Sequence, residues 1–410
     1  MAEALVPPTK RDPAADKTSL ITGSEAIAVA CKLADVDVIT AYPIRPYDTV
    51  IQYIAQLISN GEMDCEYVVA EGEHSQFEIV KHASTVGARV FCGSSGVGWM
   101  YAFECLTVTP ALRVPMVVMV GNRALDDPGA FGVEHNDALA VRDLGWQLVW
   151  VDNAQEALDT ALIAYRVAED RRIFLPCAIS CDGAFLTHSQ ALVKIPAQEK
   201  VNAFLPRYDR GDLLLHPDNP ITVAPQANED WLMEIRRQTA AAMDRSMGVI
   251  REAYKDYERI IGRGYGNPFF EEYMTDDADI VLVGMGTLST PCKVAIRKMR
   301  QEGKKVGLVR VRWFRPFAAE ELAQCLSRFN AVGVIDRDFS LGSPYSSGVL
   351  ATEVRAALYA SAKRPPLVGF ICGLGGREVL VPDVEKITGI VYDAAAGKPQ
   401  PLTHWIGVRE

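Results

Sequence analysis

The stretch Ala41-Tyr42-Pro43-Ile44-Arg45-Pro46-Tyr47-Asp48-Thr49 follows a largely β-branched run, Val36 to Thr40, and halts it with two prolines. Proline cannot continue a strand ladder, and it drives the residue before it towards an extended shape. Ile44 and Arg45 are therefore expected to project from the end of a strand. That puts a guanidinium at the carboxyl edge of a sheet, where ligands bind in open α/β folds.

Working outward, Thr22-Gly23-Ser24-Glu25 opens a helix through Leu33, with Ser24 as the expected cap and Glu25 complementing the helix dipole. A helical pattern follows from Tyr47 to Ile58. Glu66 to Ala70 reads as a short strand running into Glu71-Gly72-Glu73, and the next helix carries Phe77, Ile79 and Val80. Arg89 to Cys92 ends at Gly93-Ser94-Ser95-Gly96-Val97-Gly98, and Pro115 to Val120 ends at Gly121-Asn122-Arg123. Leu148 to Val151 and Ile173 to Ile179 are two further strands, separated by a helix from Ala154 to Ala168. Strands alternating with helices at this spacing predict a doubly wound, mostly parallel α/β sheet. Arg45, Glu73, Ser94 and Arg123 each follow a strand, so they are expected to converge on one edge.

The 410-residue chain is 49% hydrophobic and 23% charged, ordinary for a globular protein with two or three cores. No apolar run reaches the length of a membrane span, and Met1 to Ser19 has the look of a loose tail rather than a signal peptide, so a cytoplasmic location is expected. A net charge of −10 without a basic cluster in the sequence argues against nucleic-acid and membrane-surface partners. The nine cysteines form no CxxC pair, and Cys177 and Cys181 come closest on one strand. They read as structural thiols rather than disulfides, zinc ligands or iron–sulfur ligands.

From Val193 to Asn228 the pattern gives way to a proline-rich connection. Trp231 to Ile261 then shows helical period at Leu232, Ile235, Met243, Met247, Ile250, Tyr254, Tyr257 and Ile261, long enough to bridge domains or to pack along a partner subunit. A second α/β unit begins at Ile280-Val281-Leu282-Val283-Gly284-Met285-Gly286 and continues through a helix (Pro291 to Gln301), a strand (Val306 to Val311), a helix (Ala319 to Arg328) and a strand (Ala331 to Ile335). The expected organisation is a flexible tail over 1–18, a first α/β domain with its linker over 19–228, a connecting helix over 229–263 and a smaller α/β domain over 264–410.

Gly284-Met285-Gly286 lacks the third glycine and the acidic partner of a dinucleotide fingerprint, so a plain tight turn is favoured. His74, Glu78 and His82 share a helix face but lack the H-E-x-x-H spacing, so no metal site is expected on this chain. There is no G-x-S-x-G elbow and no Walker A loop. Arg45 and Arg123 offer planar donor forks suited to carboxylate oxygens; the competing reading is a surface arginine, or an ion pair with Asp126 or Asp127.

Together these pieces resemble the α subunit of the thiamine diphosphate-dependent 2-oxoacid:ferredoxin oxidoreductases. Tyr42-Pro43-Ile44-Arg45-Pro46 matches that family's Tyr-Pro-Ile-Thr-Pro signature, and Gly23-Ser24-Glu25-Ala26 loosely matches its Gly-Asn-Glu-Ala helix start. Gly72-Glu73-His74-Ser75 corresponds to its Ser-Glu-Ala-Gly segment, and Gly93-Ser94-Ser95-Gly96 to its small-residue turn. Asn122-Arg123-Ala124-Leu125, the run Ala140 to Trp146 and Trp313-Phe314-Arg315-Pro316-Phe317 extend the resemblance over nearly the whole chain. It implies a pyrimidine-binding-type domain followed by a transketolase C-terminal-like domain.

Two departures carry more than the matches. Arg45 stands where the family has threonine, and Asp126-Asp127-Pro128-Gly129-Ala130-Phe131 stands where small residues follow Asn-Arg-Ala-Leu. A cation in place of a neutral donor implies a substrate more anionic than pyruvate, and the departures resemble the oxalate oxidoreductase branch. The resemblance then implies that Glu73 holds the aminopyrimidine of thiamine diphosphate, that Arg123 and Arg45 hold the substrate's carboxylates, and that Ser94, Ser95 and Gly96 line the approach with backbone donors. Asp126 and Phe131 belong to a loop placed to meet the substrate, where an acidic side chain swinging in would hasten departure of an anion.

The Gly-Asp-Gly segment that anchors magnesium and the diphosphate is missing; Cys181-Asp182-Gly183 lacks the rest of that motif. Thiamine diphosphate is therefore expected to be shared with a β subunit that carries the Mg2+ half-site. [4Fe-4S] clusters are expected on γ/δ-type subunits, with ferredoxin as acceptor and no coenzyme A requirement. The alternatives are a coenzyme A-dependent subunit for pyruvate, 2-oxoglutarate or another 2-oxoacid, and a non-catalytic assembly subunit, against which the presence of Glu73 argues.

Overall fold

A computed structural model describes residues 16–125 and 128–409. The first half contributes strands β1 (Lys17–Thr22), β2 (Val38–Ala41), β3 (Glu66–Val69), β4 (Val90–Ser94), β5 (Val117–Asn122), β6 (Gln147–Trp150), β7 (Cys177–Asp182) and β8 (Gln190–Ile195). Its helices are α1 (Gly23–Leu33), α2 (Asp48–Ser59), α3 (Glu73–Thr85), α4 (Gly96–Tyr101), α5 (Phe103–Val108), α6 (Asn136–Leu139), α7 (Ala154–Ala168) and α8 (Gln198–Phe204). The long helix α9 (Glu229–Ile261) follows. The second half supplies β9 (Phe270–Tyr273), β10 (Ile280–Met285), β11 (Val306–Val311), β12 (Trp313–Arg315), β13 (Ala331–Asp336), β14 (Leu367–Ile371) and β15 (Thr403–Trp405), with α10 (Ser289–Gln301), α11 (Ala319–Leu326), α12 (Val349–Tyr359) and α13 (Val381–Ala395).

The first sheet has the order β12-β6-β7-β5-β4-β2-β3, and every pairing from β6 to β3 is parallel. The doubly wound, mostly parallel reading is therefore what forms. Strands buried on both faces, such as β5 and β7, read as continuous apolar runs because helices cover each side. α7 is buried along nearly its whole length. α1 and α7, both rich in buried alanine, pack against each other.

Several boundaries differ from the sequence reading. The cap of α1 is Thr22, not Ser24: its hydroxyl accepts from Glu25 N–H while the Glu25 carboxylate accepts from Thr22 N–H, a reciprocal capping box. Lys17 to Ser19, assigned to the tail, belong to β1, which pairs antiparallel with β8. The supposed connection after Val193 is partly structured, since β8 runs to Ile195 and α8 follows.

The second sheet, β15-β14-β13-β10-β11-β9, is parallel except for β9. One strand from this half crosses over: β12 pairs antiparallel with β6, placing Trp313 opposite Val149. Behind the crossing, Glu156 on α7 accepts both Nη groups of Arg310 at 2.9 Å and Nε of Arg312 at 2.9 Å, all three side chains being buried. Burial alone would raise the Glu156 carboxyl, but Arg310 and Arg312 hold it far below the usual carboxylate range.

α9 docks its second half against α7 and α8 and ends at Gly262 in the left-handed region. Its first turns leave Trp231, Leu232 and Met233 exposed. All nine cysteines are free thiols, eight of them buried. Among the described residues, no helix is long and apolar enough to cross a membrane.

Candidate active site

Because β3, β2, β4 and β5 are parallel neighbours, the segments after Val69, Ala41, Ser94 and Asn122 emerge side by side. Arg45, Glu73, Ser94 and Arg123 accordingly lie along one edge. The side chains are not equally committed to it.

Glu73 starts α3 and is 7% exposed, yet its carboxylate receives no hydrogen bond from any described residue. It lies over Gly98 of α4. A Cβ built on Gly98 overlaps Glu73 Oε1 and comes within 2.6 Å of Ile44 Cδ1, so glycine at 98 is what lets Ile44, Glu73 and α4 meet. Ser94 and Ser95 are buried with hydroxyls that find no partner among the described residues. A buried acceptor and two buried hydroxyls without partners form an unfilled polar surface, since native buried polar groups are nearly always paired.

Arg123 is 6% exposed. Its Nη1 donates to the Arg45 carbonyl at 3.2 Å, and its guanidinium lies 5.1 Å from the centre of the Phe131 ring. Phe131 is itself 74% exposed, so it covers the arginine from the outside. Arg45 behaves differently from expectation: the structure brings its backbone to Arg123, but its side chain is 78% exposed and comes only to 3.8 Å from Asp48. The two guanidinium groups thus do not converge within this chain. Asp126 lies outside the described residues.

A second correction concerns Gly96. With φ of +49° it suits glycine, but its N–H does not face the approach. It donates to Asp137 Oδ2 at 3.0 Å, and Arg123 N–H donates to the same oxygen at 2.9 Å. Asn122 Nδ2 donates to Asp137 Oδ1 at 2.9 Å. Asp137 is fully buried at the start of α6, and burial raises its carboxyl above the usual range against the pull of these donors. It was not singled out in the sequence, where His135-Asn136-Asp137 was the available signal.

The loop carrying Phe131 is tied to the second half. Gly132 packs directly on Gly375, Ala124 N–H donates to the Gly132 carbonyl, and His135 N–H donates to the Arg337 carbonyl at 2.9 Å. Beneath it, Asp182 at the end of β7 accepts from His135 Nε2 at 2.8 Å, Arg337 Nη1 at 2.9 Å and Thr287 N–H at 2.9 Å. The Gly284-Met285-Gly286 turn therefore leads into an inter-sheet contact, and Asp182 is committed to it.

An open parallel sheet with a buried carboxylate that no described residue pairs and a buried arginine at its carboxyl edge places the chain among α/β proteins that bind a ligand at that edge. Residues 29–255 match the thiamine diphosphate-binding family of pyruvate flavodoxin/ferredoxin oxidoreductases, and residues 278–384 match pyruvate:ferredoxin oxidoreductase core domain II. The pyruvate synthase subunit PorA of Methanocaldococcus jannaschii is 39% identical over 394 residues, 96% of this chain and 99% of that one. The ketoisovalerate oxidoreductase subunit VorA of Pyrococcus abyssi is 37% identical over 368 residues, 90% and 92% of the two chains. In fold, 2-oxoglutarate:ferredoxin oxidoreductase from Magnetococcus marinus superposes with a TM-score of 0.67 at 16% identity over 92% of this chain, which spans 65% of that longer one. A split-gene transketolase β4 tetramer superposes at 0.55 and 14% identity, covering 93% of this chain and all of that one. The chain belongs to the pyruvate flavodoxin/ferredoxin oxidoreductase family, as an α-type subunit.

Proposed function

We propose that this subunit forms half of the active site of an oxalate oxidoreductase, which splits oxalate into two molecules of carbon dioxide and delivers two electrons to ferredoxin. The observation that carries the thiamine half is Glu73, buried and without a donor among the described residues, lying over a glycine that makes room for it. The residues fit that cofactor: Glu73 would hold the pyrimidine ring by a charge-assisted hydrogen bond, with Ser94 and Ser95 offering further polar contacts. When bound, thiamine diphosphate supplies the nucleophilic carbon and the electron sink of the reaction.

The substrate assignment rests on charge. Arg123, walled by Phe131, presents a guanidinium to one carboxylate. Arg45, where the family signature has threonine, stands at the mouth with its side chain outward. In the assembled site it would meet the second carboxylate from the open side. A carboxylate carbon resists a nucleophile because its charge is delocalised, and two guanidinium groups in a site closed to water would offset that charge. [4Fe-4S] clusters on partner chains would take up the two electrons that cleavage of the C–C bond leaves behind.

The outward face of Arg45 also supports a shared site. Val69, Val97, Tyr101 and Phe103 are exposed around Glu73, an apolar rim suited to a β subunit that brings the diphosphate and Mg2+. PorA and VorA relatives keep open the alternative that the substrate is pyruvate or another 2-oxoacid.

The test is anaerobic reduction of ferredoxin by the co-purified complex, with oxalate, pyruvate and 2-oxoglutarate, without and with coenzyme A. Turnover of oxalate without coenzyme A is expected. Coenzyme A-dependent turnover of a 2-oxoacid with none of oxalate would refute the dianion reading and leave the family intact. Separately, Gly98→Ala should push the Glu73 carboxylate aside and raise the thiamine diphosphate concentration needed for half-activity.

A further inference from the structure

At the opposite, amino-terminal edge of the first sheet lies a cavity of about 630 Å³, unrelated to the site above. Its walls come from the loop before β5, the turn before β7, a segment near Arg210, a strap over residues 221–227 and the first half of α9. Six arginines line it, Arg113, Arg171, Arg172, Arg210, Arg236 and Arg245, and no aspartate or glutamate does. In a chain of net charge −10 this is a marked local inversion. No basic run signals it, because the six come from four separate stretches of sequence.

Carboxylates outside the cavity neutralise only two of the six. Arg171 pairs with Asp209, and Arg172 with Asp170 and Glu252. Among the described residues, Arg113, Arg210, Arg236 and Arg245 have no acidic partner. Arg113 gives both Nε and Nη2 to the Ile173 carbonyl and Arg245 gives Nε to the Arg172 carbonyl, which points both arginines at the same turn and leaves Arg113 its Nη1 group for a ligand. Burial and the nearby Arg245 push Arg113 below its usual range, the response of a cation held beside another with no counter-charge.

The backbone around this cavity is strained as well. Eight non-glycine residues among those described have positive φ, and three of them line this one cavity: Arg113 (55°), Phe174 (44°) and Ala224 (58°). Such conformations persist where surrounding structure enforces them, and they concentrate at ligand sites. Between the arginines the lining is apolar, including Leu112, Val223, Leu232 and Ile235.

We propose that this cavity binds a small phosphorylated ligand of nucleoside polyphosphate type, its phosphates held by Arg113, Arg236 and Arg245 and its apolar part laid against Leu232 and Ile235. Guanidinium forks match phosphate oxygens bidentately. The volume falls within the range of small-molecule sites, about 300–1,000 Å³, and the strap closes over one side. A bounded cavity of this size suits a compact anion better than an acidic segment of another chain.

The experiment is calorimetric titration of the intact complex with ATP in the absence of divalent ions, alongside adenosine and inorganic triphosphate. ATP should bind more tightly than either fragment. Arg236 and Arg245 are exposed, so the paired variant Arg236→Glu, Arg245→Glu should keep its melting temperature while ATP affinity falls at least tenfold. Should the pair lower the melting temperature, Arg236→Ala alone, with no described partner to lose, should still weaken ATP several-fold. The proposal is overturned if the variants bind ATP like the parent, if adenosine binds as well as ATP, or if only the separated subunit binds. That last result would make the cavity a subunit contact.

Discussion

Asp137 shows how a single side chain sets the candidate site. Its Oδ2 accepts the N–H groups of Gly96 and Arg123 from two neighbouring strand ends, so one atom fixes the spacing between β4 and β5 at their carboxyl edge. Asp137→Asn, with its amide placed at that oxygen, would set a donor against two donors. An unsatisfied buried group costs about 1–3 kcal/mol, and removing a buried charge offsets part of it. The expected result is a loss of about 2 kcal/mol in unfolding free energy, with turnover of the complex about tenfold lower. Unchanged turnover in a folded variant would show that the two strand ends hold their places without it. At this scale the sequence was informative wherever chain order alone decides position. Glu73 and Arg123 follow parallel strands and Ser94 ends one, so their placement on one edge was readable. Asp137 was not, because it follows Arg123 by 14 residues in an irregular segment and matters only once that segment folds back. The direction of Arg45 was not readable either, since two prolines place a backbone but do not aim a side chain.

Whole elements show the same division. The alternation of strands and helices was legible because short apolar runs alternate with longer segments of helical period. Ala154 to Ala168 was read to the residue. The crossing of β12 into the first sheet was not legible, for a three-residue strand has no periodicity of its own. Its position is held from behind by Arg310 and Arg312 converging on Glu156. Glu156→Gln would leave two buried guanidinium groups sharing a neutral amide, with Glu271 at 2.8 Å and Asp152 at 3.5 Å as the remaining carboxylates for Arg310. Breaking a buried pair of this kind costs about 3–5 kcal/mol. Chemical denaturation of the variant should show a loss near the lower figure, about 3 kcal/mol, since Glu271 and Asp152 stay, and a loss under about 1 kcal/mol would refute the clamp. The sign with pH follows from the direction of the shift. The Glu156 carboxyl is depressed in the folded state, so its stabilisation is fully present above its unfolded value near 4.5 and is lost as pH falls below that.

For the molecule as a whole, the question is what couples the second sheet to a site built on the first. Asp182 is the joint: it ends β7, and it accepts from His135 under the Phe131 loop and from Thr287 and Arg337 of the second half. Burial would raise its carboxyl, but His135, Arg337 and Thr287 hold it far below the ordinary range. Its contribution is therefore complete above pH ~4 and disappears as the pH falls from there towards the depressed folded-state value. Glu156 shifts in the same direction, so both anchors between the halves weaken together on acidification. The apolar core, which runs on from the first sheet onto one face of the second, does not titrate, and this predicts an ordered loss rather than a single collapse. Hydrogen exchange followed from pH 7 downwards should show steady protection to about pH 4. Below that, the loop over 128–135 and the segments 286–289 and 337–339 should open before the strands β5 and β10 do. Asp182→Asn at neutral pH should reproduce that opening and lower turnover, since the loop that walls Arg123 loses its support from below. If acid instead releases all of these segments together with β5 and β10, the two sheets unfold as one cooperative body and Asp182 is not the joint between them.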